Sequence, residues 1–395
     1  MVDPEYIYSR KKRVFSVLFL AIFSSMLGIG IIVPLLPIYA EDLGAKGLSI
    51  GIIFSGFSLT RAIFSPVAGR ISDRWGRKIP IAMGLLFYGI VSICYIFSTT
   101  VIDLILIRFA QGFSAAFIIP LAMAYIGEIS PSGKEGSYIG LFTVSLFAGF
   151  GFGPILGGAL MDRIGIISNF YTMSGLCLIA FILVVIWLPE LHYEEKEIKW
   201  EINKSYFDLL RNPVVIGLFL YRFTMAYCRG ILMTFLPLFA HDSIGMSGFE
   251  VGIVISANVL LNSFLQAPSG RLADRYDRKR LIFFGALSFI ISLFLITHTL
   301  TFLQVFIISI AMGISGAVSL PAASAIAIQE GKRYGMGTVM GIYDMGMSIG
   351  LVFGPVTGGL IADLIGIRGA FYSGGLIGIT GTISFIALLQ RGSNP

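Results

Sequence analysis

The sequence predicts an all-α integral membrane protein of twelve transmembrane helices arranged as two pseudo-symmetric six-helix bundles. Three observations carry that expectation: long apolar runs recur along the whole chain, Lys and Arg fall almost entirely on alternate loops, and the second half repeats the first at a fixed offset. Of 395 residues, 56% are apolar and 13% charged, with a mean hydropathy of +0.87. Soluble domains carry about 25% charge and about 45–50% apolar residues. Each run is long enough to cross the ~30 Å hydrocarbon layer, which needs about 20 residues at helical rise. Backbone amides there have no water to bond, so each segment must satisfy its own as a helix. A membrane barrel would show ~10-residue alternating strands, and none are visible.

The first six spans are expected near 14–39, 48–68, 79–97, 101–124, 138–160 and 168–188, and the second six near 213–239, 250–269, 281–297, 301–323, 338–361 and 369–389. The run after Arg13 is too long for a signal-peptide core and reads as the first membrane helix. Residues 189–212 form the one long polar connector, so the chain divides into a bundle over 1–188, a linker over 189–212 and a bundle over 213–395. Of 28 Lys and Arg, the odd-numbered loops hold only Lys46, Arg163 and Arg368, and four more lie within spans. Cytoplasmic loops retain basic residues, so both termini are expected to face the cytoplasm of a cell membrane. The net charge of +6 reflects this asymmetry and points to anionic headgroups rather than nucleic acid. Cys94, Cys177 and Cys228 stand singly, as do His192, His241 and His298, which argues against disulfides and metal sites.

A shift of 201 positions places Gly69, Asp73, Arg74, Arg77 and Lys78 on Gly270, Asp274, Arg275, Arg278 and Lys279. It also places Gly112 on Gly313, Pro120 on Pro321, Asp162 on Asp363 and Gly165 on Gly366. Random apolar sequence would not hold one offset across five spans. Six spans per half give both halves the same polarity, so they are expected to be related by an axis along the membrane normal, with a solute site at their interface.

The loop after span 2 reads Gly69-Arg-Ile-Ser-Asp73-Arg74-Trp-Gly76-Arg77-Lys78, and the loop after span 8 reads Gly270-Arg-Leu-Ala-Asp274-Arg275-Tyr-Asp277-Arg278-Lys279. A glycine at a helix end lets a neighbouring helix approach closely, an aspartate can face the positive end of another helix, and the arginines can pair with nearby acids such as Glu128. The two loops resemble the loop 2–3 motif of the major facilitator superfamily, G-x-L-x-D-R-x-G-R-[RK]. The resemblance implies a cytoplasmic gate at Gly69, Asp73, Arg74, Gly76, Arg77 and Glu128, with Gly270, Asp274, Arg275 and Arg278 as its second copy; Asp277 replaces the second glycine there.

Span 5 carries Gly140, Gly149, Gly153, Pro154, Gly157 and Gly158, and span 11 repeats the spacing as Gly341, Gly350, Gly354, Pro355, Gly358 and Gly359. Such a row allows tight helix contact, and the proline permits bending. The pattern resembles the span 5 motif of the superfamily's proton-coupled antiporters, and Gly28-Ile-Gly30-Ile-Ile-Val-Pro34-Leu-Leu-Pro37 is similar to span 1 of the twelve-helix drug:proton antiporters. Arg108-Phe-Ala-Gln111-Gly112 resembles the family's span 4 motif, whose arginine is linked to proton transfer. No Walker sequence, cofactor motif or nucleophile–base constellation is visible, so neither an ATP-driven pump nor an enzyme is expected.

A mid-membrane charge costs about 2.5–3.5 kcal/mol on insertion scales, so one kept there faces a partner or a polar cavity. The candidates are Arg61, Arg108, Arg222, Arg229 and Asp344, joined by Gln111, Asn258 and Asn262; through the repeat, Arg61 corresponds to Asn262. Arg222 and Arg229 lie two turns apart on one face. Asp344 is the lead proton or substrate partner, although span 1 lacks the acid used by some multidrug members, and Glu135 stands where family members commonly carry arginine. The expected activity is secondary transport by alternating access: proton-coupled efflux of a small amphiphile by a monomer. Four arginines against one acid favour an anionic or zwitterionic substrate. Two other readings remain open, a lipid or lysolipid flippase on the same scaffold and a non-transporting membrane sensor or scaffold.

Overall fold

The computed structural model describes residues 11–130, 135–190 and 212–391, and every regular element among them is helical. Twelve helical segments are long and apolar enough to cross a membrane. Spans 1 to 6 run Arg13–Ile32, Gly47–Trp75, Lys78–Phe97, Val101–Ile129, Tyr138–Ile164 and Ile167–Trp187; spans 7 to 12 run Pro213–Ile244, Gly248–Arg275, Arg278–Ile296, Phe302–Tyr334, Met336–Ile365 and Ile367–Arg391. Most of the expected linker, residues 191–211, lies outside the described residues.

The ends follow local chemistry. Thr100 and Asp103 form a capping box at the start of span 4, Thr301 accepts from the Gln304 N–H at span 10, and Asn212 caps span 7 ahead of Pro213. Span 1 stops at Ile32, short of the expected residue 39, and a separate short helix follows over Leu36–Asp42. Pro34 has no N–H to continue the ladder, and Pro37 suits the first turn of the new helix. Span 4 is interrupted at Phe117 and Ile118 ahead of Pro120, where Phe117 and Ile118 turn back to the Ser114 and Ala115 carbonyls.

Contacts divide the chain into two units. Unit 1 comprises Met1–Gly44, Gly56–Glu197 and Ser247–Ser256; unit 2 comprises Ala45–Ser55, Ile198–Met246 and Ala257–Pro395. Each thus takes in the opening turns of one helix, span 8 or span 2, whose remainder belongs to the other unit.

Within unit 1, span 5 lies against span 1 along its glycines. A Cβ added at Gly149 would stand 2.5 Å from the Phe23 carbonyl oxygen, and one at Gly153 would stand 2.6 Å from the Gly30 Cα. In unit 2 the same row meets span 7: Gly350 abuts the Phe223 carbonyl and Gly354 the Tyr227 carbonyl. The repeat seen in the sequence therefore recurs as a repeat of packing. At the end of unit 2 that carries the basic loop, Leu218, Tyr221, Ile282, Ala286, Ala323, Tyr343 and Phe385 form a buried core among spans 7, 9, 10, 11 and 12.

Candidate functional site: a polar cluster within each unit

Unit 1 gathers its polar side chains around Arg108 and Gln111, which lie one turn apart on span 4 and are 3% and 0% exposed. The Tyr95 hydroxyl donates to Gln111 Oε1 at 2.9 Å, and Arg108 Nη1 reaches the same oxygen at 3.3 Å. The amide nitrogen of Gln111 donates to Ser92 Oγ at 3.2 Å. The Arg108 guanidinium also lies over the Phe57 ring at 4.6 Å, within the range in which a ring face attracts a cation. One amide thus organises side chains from spans 3 and 4, while span 2 supplies the aromatic face. Arg61 stands within electrostatic reach of the fully buried Tyr88.

Unit 2 carries amides at two matching positions of span 8. Asn258, the repeat counterpart of Phe57, donates to the Ser309 carbonyl at 2.9 Å; Asn262, counterpart of Arg61, donates to the Gly313 carbonyl at 3.2 Å. Gln266 extends the row by donating to Asn262 Oδ1 at 3.0 Å. Arg229 converges on the same place, since a Cβ on Gly316 would lie against the Asn262 amide and 3.8 Å from Arg229 Nη2. Arg222 is held between the Tyr343 ring, 4.9 Å from its guanidinium carbon, and Met347 Sδ at 3.0 Å. Asp344 is exposed, about two turns inside span 11, and lies in the field of Arg222 without an ion pair among the described residues.

The candidates thus fall into two groups, Arg108 with Gln111 in unit 1 and Arg222, Arg229, Asn258, Asn262 and Asp344 in unit 2. Tyr95, Ser92, Phe57, Tyr343, Met347 and Gln266 join them unannounced. Of these, only Gln266 carried a usable signal, as the next turn after Asn262 on the same helix.

In the basic loop of unit 1, Arg77 gathers three groups: Glu128 at 2.6 Å, Asp73 at 2.9 Å and Ser72 Oγ at 2.7 Å. Partial burial pulls its pKa down, but Glu128 and Asp73 outweigh that and hold it above the ordinary arginine value. Gly76 adopts φ +86°, a left-handed turn, with the Glu190 carboxylate pressed against it; Glu190 also accepts from the Lys78 N–H at 3.0 Å. In unit 2, Asp277 instead caps span 9 through the Lys279 N–H at 2.8 Å. Four glycines correct the expectation of close helix approach. Among the described residues, a Cβ added at Gly69, Gly270, Gly140 or Gly341 would meet nothing within 4 Å. The first two sit near helix ends, and the other two lie on exposed stretches before the packed part of their row.

At the opposite end of the spans the repeat produces a pair of carboxylate caps. In unit 1, Asp162 accepts from the Gly248 and Phe249 N–H groups at 3.0 and 2.9 Å. In unit 2, Asp363 accepts from the Gly47 and Leu48 N–H groups at 2.7 and 2.9 Å. Each satisfies two of the orphan donors of a helix start and places negative charge at the positive end of its dipole. The matched aspartates stood out in the sequence, but their partners did not.

Twelve apolar helices, a twofold sequence and packing repeat, and polar clusters set within the spans define a multi-pass membrane transporter. The family model described as Major Facilitator Superfamily matches residues 18–247 and 218–395, and the chain belongs to that superfamily. An uncharacterized MFS-type transporter of Methanocaldococcus jannaschii is 30% identical over 384 residues, covering 96% of this chain and 98% of its own. Multidrug resistance protein 1 of Bacillus subtilis is 29% identical over 369 residues, covering 90% and 91%. Among solved structures, a bacterial homolog of the human lysosomal transporter Spinster, inward-facing and occupied, superposes with a TM-score of 0.83 at 15% identity, covering 96% of this chain and 97% of that one.

Proposed function

We propose that the chain is a secondary active transporter that expels a small amphiphile in exchange for protons by alternating access. The observation that carries this reading is Asp344, an acid within a membrane-spanning helix and in the field of Arg222. A carboxylate so placed can hold a proton when desolvated and release it when the arginine field or water dominates. The glycine row shared with antiporters and the resemblance to a multidrug resistance protein support efflux. Each six-helix bundle, over 1–188 and 213–395, carries its own polar cluster, and a linker over 189–212 joins the two. Arg108, Arg222 and Arg229 favour anionic or zwitterionic amphiphiles, with Arg61, Gln111, Asn258 and Asn262 completing the lining. The Arg77–Glu128 cluster acts as a cytoplasmic gate, its second copy around Arg278. The protein works as a monomer in the cell membrane with both termini in the cytoplasm, an orientation supported by the distribution of Lys and Arg.

Purified protein in proteoliposomes, given an anionic amphiphilic dye with and without an imposed pH gradient, tests the reading. The gradient should accelerate wild-type flux, and Asp344→Asn should lose that acceleration while retaining dye binding. Gradient-independent wild-type flux would remove proton coupling; an unchanged Asp344→Asn response would remove this residue from it.

A further inference from the structure

Unit 2 carries charges within its spans that its packing does not call for. Through the 201-residue offset, Arg222, Arg229 and Asp344 correspond to Ala21, Gly28 and Thr143 of unit 1. A Cβ at Gly28 would stand 3.2 Å from the Met173 carbonyl oxygen, so unit 1 completes the matching contact with no side chain at all. The two cations of unit 2 also keep different company. Arg222 lies over the Tyr343 ring, reaches Met347 and shares its field with Asp344. Arg229 has neither an ion pair nor a hydrogen bond among the described residues, and the charge acting on it is again Arg222, a cation. Spans 7, 8, 10 and 11 are described throughout. About 24 Å of helix separates Arg229 from Pro213, the end of span 7 next to residues outside the described set.

The Arg229 side chain turns towards spans 8 and 10. Span 10 carries Gly316 where unit 1 has Ala115. The Asn262 amide nitrogen lies against the point a Cβ on Gly316 would take, and Arg229 Nη2 is 3.8 Å from that point. Asn262 donates to the Gly313 carbonyl at 3.2 Å and accepts from Gln266 at 3.0 Å. An amide nitrogen has two N–H groups and a guanidinium five, so donors outnumber the acceptors at this spot. A planar guanidinium fork with an amide N–H beside it matches the two oxygens of a carboxylate. Arg229 is partly exposed, which leaves it open to a ligand.

We propose that Arg229 and Asn262 form the docking point for the carboxylate of the transported amphiphile, with Gly316 making room for the amide. The assignment rests on the transport reading and narrows its anionic or zwitterionic substrates to carboxylates. It sets the substrate's charge two helical turns, about 10 Å, along span 7 from Arg222. Substrate and proton are then held at separate places, the proton at Asp344 beside Arg222.

The test uses the full chain in dodecylmaltoside, immobilised through a C-terminal tag and equilibrated with pyrenebutyrate, pyrenebutanol or pyrenebutylamine. Bound pyrene fluorescence is read against tag-only beads carrying the same detergent. Wild type should bind the acid saturably and about tenfold or more tightly than the alcohol, as hydrogen bonds to a charged group imply. Arg229→Gln should erase that preference. Asn262→Asp, which builds a carboxylate into the chain beside Arg229, should erase it too, and keeps the test decisive if Arg229→Gln fails to fold. No saturable binding of the acid, equal binding of acid and alcohol, tighter binding of the amine, or a preference that survives in either folded variant overturns the proposal. The assay measures no flux: gradient-independent flux in proteoliposomes with the carboxylate preference intact would remove proton coupling and leave this site standing.

Discussion

Gln111 holds the cluster of unit 1 together through a single amide. Its oxygen receives Tyr95 and Arg108, and its nitrogen reaches Ser92. Gln111→Leu keeps the volume but strands the Tyr95 hydroxyl and an arginine hydrogen bond in the interior. Leaving a buried polar group unsatisfied costs about 1–3 kcal/mol, so the variant should unfold at lower temperature than wild type in detergent. Tyr95→Phe removes one donor and strands only one lone pair, so its loss should be smaller; equal midpoints for wild type and Gln111→Leu would show that the amide does not organise the cluster. Arg77 supports a second expectation at this scale. Hydrogen bonds to charged groups contribute about 1.5–3 kcal/mol, and both partners of the Arg77–Glu128 pair are largely buried. Glu128→Gln should therefore destabilise unit 1, and a double-mutant cycle with Arg77→Gln should reveal coupling. Because the pKa of Arg77 is raised, its stabilising contribution is complete below the unfolded-state value and is lost only as pH climbs through the folded value, in strongly alkaline solution. Mild acid leaves this guanidinium charged.

Among helices, the glycine rows separate positions that share a motif but not an environment. Gly153→Val would drive a branched side chain into the backbone of span 1, and Gly354→Val into that of span 7. Overpacking a core commonly costs about 1–3 kcal/mol and more where backbone cannot move, so both variants should give little monodisperse protein on size-exclusion chromatography. Gly140→Ala and Gly341→Ala meet open space, and replacing an exposed helical glycine should gain about 0.5–1 kcal/mol; both should express at least as well as wild type. The aspartate caps give a subtler contrast. Asp363→Asn keeps an acceptor for the Gly47 and Leu48 N–H groups but removes charge from a helix start, a loss of about 0.3–1 kcal/mol, whereas Asp363→Ala removes both. Thermal midpoints should fall in the order wild type, Asn, Ala. These contrasts also mark what the sequence could tell. Run length and the 201-residue offset made twelve helices legible, and Arg108 with Gln111 could be paired because both stand on one helix. Tyr95 and Ser92 reach Gln111 from another helix, a proximity no spacing encodes. At Gly69 no described neighbour approaches, because a motif glycine says that a side chain is absent, not that a neighbour is present. Glu190 was hidden in a polar stretch where any acid reads as solvent-facing.

Over the whole chain, the two units do not coincide with the two halves of the polypeptide. Ala45–Ser55 belongs with the later unit and Ser247–Ser256 with the earlier one, each segment beginning close to a turn that an aspartate of its unit caps. A gene divided within the linker would therefore yield two translation products that are both unfinished, each carrying about three helical turns that complete its counterpart and missing the turns that complete itself. Produced alone, either fragment should be cleared by membrane quality control; produced together, they should rescue one another and co-purify through a tag on one of them. On this division the unit begun first should close only after the ribosome has passed residue 256, well into the second hexad.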